Sequence, residues 1–198
     1  MKLADIVDQI REELNRKDKR REEVFPISRE IRRLSTKAVR EIHNNDFSGA
    51  KGLIDEAASL LSQLNSDDME FRFMQDSLQE YSEAAIVYAL FNREDPPGFA
   101  ELNVPPAHYA LGLGDVVGEL RRCILDAIRT ERYDDVGYFL DLMDEISHEI
   151  ASLDYPSAII PIRRKQDIAR GLLERTRGDV TIALNQAKLA KKIDELDL

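Results

Sequence analysis

LQEYSEAAIVYALF, residues 78–91, sets two carboxylates, Glu80 and Glu83, directly ahead of Ala84 to Phe91, a run with no charge. Advancing about 100° per residue from Leu78, the side chains of Asp76, Glu80, Glu83 and Val87 fall within about 60° of one another. The acidic face therefore turns apolar one turn later. Because residues 84–91 are apolar all round, this half of the helix suits burial on every side, with the carboxylates on its shoulder. A helix enclosed in that way needs other helices around it.

The rest of the chain supplies them. The 198 residues are 43% apolar and 33% charged, with 9 Gly, 7 Pro and no Trp, a composition that suits a helical domain spanning 1–198 with a real core. Leu3, Ile6, Val7, Ile10 and Leu14 recur at helical spacing and predict a short first helix. Pro26 and Ser28 predict a bend or a fresh start, after which Ile27, Ile31, Leu34, Ala38 and Ile42 form a second stripe. Asp46 is a candidate N-cap for a helix to about Leu64. The central helix is expected from about Asp68 to Phe91, ending before the turn cluster Arg93 to Gly98. Further helices are expected at His108–Thr130, Tyr133–Leu153 and Ile162–Thr176. Gly178 reads as a C-cap, although Val180–Leu196 keeps the periodicity of one more helix. The count is six or seven helices, all-α, with no sheet.

Several classes are excluded or disfavoured. No apolar run of 18 residues exists to span a bilayer, and no leader pattern opens the chain, so a cytoplasmic protein with no membrane association is expected. The single Cys123 permits no internal disulfide and reads as a small core residue. The three histidines form no zinc-protease motif, and GLG at residues 112–114 lacks the rest of a phosphate-binding loop.

Charge is segregated. The net charge is −10, yet residues 16–40 hold ten Lys or Arg against four acids, while residues 41–154 hold seven against twenty-four. Arg29, Arg32, Arg33, Lys37 and Arg40 share the polar side of one helix against the single acid Glu30, a pattern that leans toward an anion such as a phosphate backbone.

A second acidic pair, Asp115 and Glu119, occurs in GLGDVVGELRR, residues 112–122. Its i, i+4 spacing puts both on one face, opposite Leu113, Val116, Val117, Leu120, Ile124 and Ala127, and so toward solvent. Gly112, Gly114 and Gly118 each weaken that helix by about 1 kcal/mol and leave room for another chain or a ligand. Together, Glu80, Glu83, Asp115 and Glu119 offer the oxygen donors that Mg²⁺ prefers, and such an ion can ionise an attacking water beside a phosphodiester. On spacing alone an acidic pair is more often a solvated face or an arginine's partner.

LQEYSEA followed by YALGLGDVVGELRR, with SREIRRLSTKAVREIH before them and ARGLLERTRG after, resembles the translin family across nearly the whole chain. The likeness is closer to the translin-associated factor X branch than to translin itself. That resemblance implies a seven-helix bundle assembling into closed shells, commonly octameric, that bind single-stranded or partly structured nucleic acid, with single-stranded RNA, and also single-stranded DNA, the expected partners; the short chain, with few signs of extensions, points to a homo-oligomer. In the factor X branch it implies a metal-dependent endoribonuclease. The acids of QEYxEA fall on Glu80 and Glu83, and those of GxxDxxGEL on Asp115 and Glu119, as metal-holding and catalytic residues for Mg²⁺ or Mn²⁺. The histidine- and aromatic-rich RNA-contacting patch typical of translin is not evident around FRFMQ, residues 71–75, where Arg72 is the candidate contact. The alternative is a non-catalytic oligomer that binds single-stranded nucleic acid, its acids serving packing or ion pairing.

Overall fold

The computed structural model describes residues 3–196, and every regular element among them is an α-helix. In order these are α1 (Leu3–His43), α2 (Phe47–Leu61), α3 (Ser66–Met69), α4 (Met74–Phe91), α5 (Pro106–Arg129), α6 (Tyr133–Ala151) and α7 (Arg163–Leu196). The all-α, seven-helix architecture is thus observed among the described residues, and no helix is long and apolar enough to cross a membrane. The chain divides into two compact units, residues 1–109 and 110–198.

In the first unit α1 is one continuous helix, whereas the sequence predicted a short helix and a break at Pro26. A proline inside a helix removes one hydrogen bond and costs about 3 kcal/mol. Contacts on both sides of Pro26 offset that cost. Phe25 meets Phe73 edge-on at 5.2 Å, and buried Ser28 shares a 2.7 Å hydroxyl–hydroxyl bond with Ser77 of α4. Beyond the proline, Ile31, Leu34, Ala38 and Ile42 are buried, and α1 packs on α2 and α4. Asn45, at φ 61°, turns the chain, and Asp46 caps α2 by accepting from the Gly49 N–H at 2.9 Å. A Cβ at Gly49 would lie 2.2 Å from that carboxylate as placed, so any other residue there would make the Asp46 side chain shift.

The helix expected from Asp68 instead starts at Met74, preceded by the single turn α3. Asn65 and Asp68 form a reciprocal capping box that closes this turn. Asp68 is 1% exposed and accepts from Arg20 Nε at 2.8 Å, Arg20 Nη2 at 2.5 Å and the Asn65 N–H at 3.0 Å. The Arg20 hydrogen bonds, and to a lesser degree the Asn65 N–H, hold its pKa below the ordinary carboxylate range despite burial. Asp68→Ala is expected to destabilise the protein by about 2–3 kcal/mol, less than a fully buried pair because Arg20 is partly hydrated. Equilibrium denaturation measures it. A carboxylate with a depressed folded pKa contributes fully above its unfolded value, about pH 4, and the contribution fades as pH falls through the folded value. Acid unfolding should therefore begin at higher pH in wild type than in Asp68→Asn, relative to their neutral-pH stabilities.

The interior of α4 is as enclosed as its sequence implies: Ala84, Ala85, Ile86, Val87, Ala89 and Leu90 are all buried.

In the second unit, α5 buries Val116, Val117, Leu120, Cys123, Ile124 and Ala127, and α6 buries Val136, Phe139, Met143 and Ile150. Helix α7 packs on α6 and runs through Gly178 without a cap, because no glycine takes the positive φ that a glycine cap uses. Arg121 of α5 straddles the point, donating to Thr176 Oγ1 at 2.7 Å and Asp179 Oδ2 at 2.9 Å. Those two bonds pin α7 on either side of the glycine, so the helix continues where the sequence predicted an end.

Candidate nucleic-acid interface and carboxylate pairs

The stripe Ile31, Leu34, Ala38, Ile42 fixes which side of α1 faces water. Arg29, Arg32, Arg33, Lys37 and Arg40 are exposed on that side and, with Thr36, line an open groove of about 500 Å³. Arg33 is the most neutralised of the five, forking onto Glu30 at 2.8 and 2.5 Å; its guanidinium draws the Glu30 carboxyl below the ordinary range. A groove of closely spaced guanidinium and ammonium groups suits a chain of phosphates better than a single carboxylate.

This groove meets the first acidic pair. Arg32 Nε donates to Glu80 Oε1 at 3.0 Å and its Nη1 lies 3.8 Å from Asp76 Oδ2, while Thr36 Oγ1 donates to Glu80 Oε2 at 2.5 Å. Both oxygens of Glu80 are therefore engaged by α1. Glu83, one turn along α4, is half-buried. The sequence placed Arg32 and Glu80 in separate roles, and the structure makes them partners.

Arg72 is exposed between Phe71 and Phe73, whose rings stack at 5.2 Å with an 11° tilt, and Phe25 completes the group edge-on. In this cluster Phe71 and Phe73 pack against the core and Phe25 is exposed. FRFMQ alone carries two of its three rings, and the third arrives from α1, 46 residues before Phe71.

In the second unit Asp115 and Glu119 are half-buried rather than turned to open solvent. The reason is α7. Lys165 pairs with Asp115, and a Cβ at Gly114 would sit 2.9 Å from the Lys165 Cβ, so the glycine gives the protein's own helix its close approach. Gly118, by contrast, has open space around it. Glu119 lies 3.8 Å from Arg122, and its backbone carbonyl accepts from the Cys123 thiol at 2.9 Å. Burial pushes the Cys123 thiol up, so it stays protonated and unreactive, the core residue that the sequence predicted.

Carboxylates are the donor type that a hard divalent cation prefers. Within neither unit, among the described residues, do three acidic, histidine or cysteine side chains gather closely enough to hold a metal ion. A cation at Glu80 would have to displace Arg32 and Thr36, and one at Asp115 would have to displace Lys165. Sequence spacing did not reveal Thr36 or Lys165 as neighbours of these acids.

No family model matches the chain. The uncharacterized protein MJ0175 of Methanocaldococcus jannaschii is 33% identical over 190 residues, covering 93% of this chain and 86% of that protein. The crystal structure of AfC3PO superposes with a TM-score of 0.82 at 29% identity, and the AfC3PO–duplex RNA complex with 0.82 at 28%, each covering 92% of this chain and 98% of the other. Apo-NeC3PO, 18% identical with a TM-score of 0.78 over 89% of this chain and 96% of that one, shares the fold.

Proposed function

The chain belongs to the translin family, and from that premise we propose that it binds RNA along the basic groove of α1 and cuts it as an endoribonuclease that depends on Mg²⁺ or Mn²⁺. The observation that carries this reading is Arg32, which lies in the groove and hydrogen-bonds Glu80 at 3.0 Å. A strand held by Arg29, Arg32, Arg33, Lys37 and Arg40 would run past that carboxylate. The structure of AfC3PO with duplex RNA supports RNA as the ligand class. Single-stranded RNA is the proposed substrate, with single-stranded DNA a second ligand and a closed homo-oligomer, commonly eight copies, the working form.

We assign the carboxylates of Glu80 and Glu83, and separately those of Asp115 and Glu119, as groups that would each hold a divalent cation, which would supply an ionised water and charge neutralisation at the scissile phosphate. The chain's own contribution is distinct. The α1 cations would hold the sugar–phosphate backbone, while Arg32 and Thr36 keep Glu80, and Lys165 keeps Asp115, in place until a cation displaces them. Arg72, between its two stacked phenylalanines, would meet bases or phosphates beyond the groove.

A second reading, a non-catalytic binder of single-stranded nucleic acid, is favoured by one specific observation: Glu80 and Asp115 are each already held by a cationic side chain of their own unit. The experiment that separates the two uses end-labelled single-stranded RNA at saturating protein. Internal cuts with Mg²⁺ or Mn²⁺, lost in EDTA with binding retained, support the nuclease. Intact RNA under both conditions leaves the binder alone.

A further inference from the structure

Phe25 is the single Phe, Tyr or Trp of α1, and it stands 42% exposed at the head of the basic groove. An exposed apolar side chain on its own is ordinary. This one is both placed and held. Counting about 100° per residue from Phe25, Arg32 falls at about −20°, Thr36 at about 20°, Arg29 at about 40° and Arg40 at about 60°. The ring therefore lies within the arc of the side chains that line the groove, one turn or about 6 Å ahead of Arg29. Its contact with Phe73, at 5.2 Å and 87°, fixes it, and Phe73 is itself stacked on Phe71 and packed against the core. An edge-to-face pair takes at most one face of either ring, so Phe25 keeps a face that Phe73 does not touch.

The positive track stops at this ring. On the same side of α1, one to two turns ahead of Phe25, stand Asp18, Arg21 and Glu22, and Arg21 Nε already donates to Asp18 at 3.0 Å. Two acids and one paired cation repel a phosphate where the five cations of the groove attract it. What Phe25 offers a strand leaving the groove is therefore its ring rather than a charge. A nucleobase has the matching surface, and stacking on an aromatic side chain accepts any base because each has a π-face. Bases inside a duplex are already stacked on their neighbours, and freeing one costs energy.

We propose that Phe25 is the stacking platform for an unpaired base just beyond the phosphates held by Arg29 and Arg32, and so a residue by which the groove selects single strands over duplex. The proposal rests on the RNA-binding reading above and deepens it.

The test measures binding to the full chain in EDTA, with a short uridine strand carrying 2-aminopurine at one end or the other, and a blunt RNA duplex of the same length. Phe25→Leu keeps an apolar side chain on Phe73 but offers no ring. It is expected to lower single-strand affinity about tenfold, the scale of one lost base–aromatic stack, and to leave duplex affinity within about twofold of wild type. The slope of log affinity against log salt should not change, because no ionic contact is lost. In wild type, 2-aminopurine fluorescence at one end of the strand should dim on binding. Phe25→Leu should lose that dimming, and Phe25→Tyr, which restores a ring, should keep both dimming and affinity. Single-strand affinity and dimming that survive Phe25→Leu would overturn the proposal and leave the groove as the RNA site. Equal losses on both ligands with a shallower salt slope would make Phe25 a prop for the groove, which overturns it as well. A wild-type protein that binds neither strand nor duplex would overturn the RNA reading with it.

Discussion

Glu80→Ala and Asp115→Ala are each expected to lower Mg²⁺-dependent cleavage of single-stranded RNA by at least about a hundredfold, the scale at which losing one charge-stabilising group acts on an enzyme. Binding should not fall with it. In Glu80→Ala, Arg32 loses a carboxylate that now holds it at 3.0 Å, so its charge becomes more available to phosphate and affinity should stay level or rise. Asp115→Ala strands the half-buried Lys165 ammonium, so Asp115→Asn is the better-folded comparison. The measurement is a single-turnover cleavage rate alongside a binding isotherm for each variant. Wild-type cleavage in either variant, with contaminating nuclease excluded, removes these residues from the chemistry. A loss of cleavage that merely tracks a loss of binding removes them as well.

Replacing Arg29, Arg33, Lys37 and Arg40 together with alanine is expected to weaken RNA binding by about a hundredfold near physiological salt, with stability nearly unchanged because all four side chains are exposed. About four phosphate contacts to a single strand give a slope of log affinity against log salt near −3, so wild-type affinity should drop roughly fiftyfold for a fourfold rise in salt. The slope of the variant should shrink to about −1, the share left to Arg32 and Arg72. Among single substitutions, Arg33→Ala should cost least, because Glu30 already forks onto that guanidinium. Equal salt slopes in wild type and the fourfold variant would move the nucleic acid to another surface.

Helix content and the enclosed half of α4 were legible in the sequence because they depend on local periodicity, and Ala84 to Leu90 shows it. The breaks were misread for a physical reason. Pro26 and Gly178 are local signals of interruption, but the Ser28–Ser77 bond and the Arg121 bridge to Thr176 and Asp179 are long-range contacts that override them. The acid pairs were found by spacing and motif, whereas their partners were not. Lys165 is fifty residues from Asp115 and Thr36 forty-four from Glu80, and no periodicity connects residues at such separations. The basic stripe was readable because its five cations share one helix face, and the fold had only to decide which side of α1 to bury.

The unbroken course of α1 through Pro26 ties residues 3–14 to residues 29–40 by helical geometry alone, with no hinge between them. A single amino acid inserted near residue 20 would swing one segment about the axis by about 100° and slide it about 1.5 Å relative to the other. The phase of this rod thus sets the direction in which the phosphate-facing arginines point relative to the leading end of the chain.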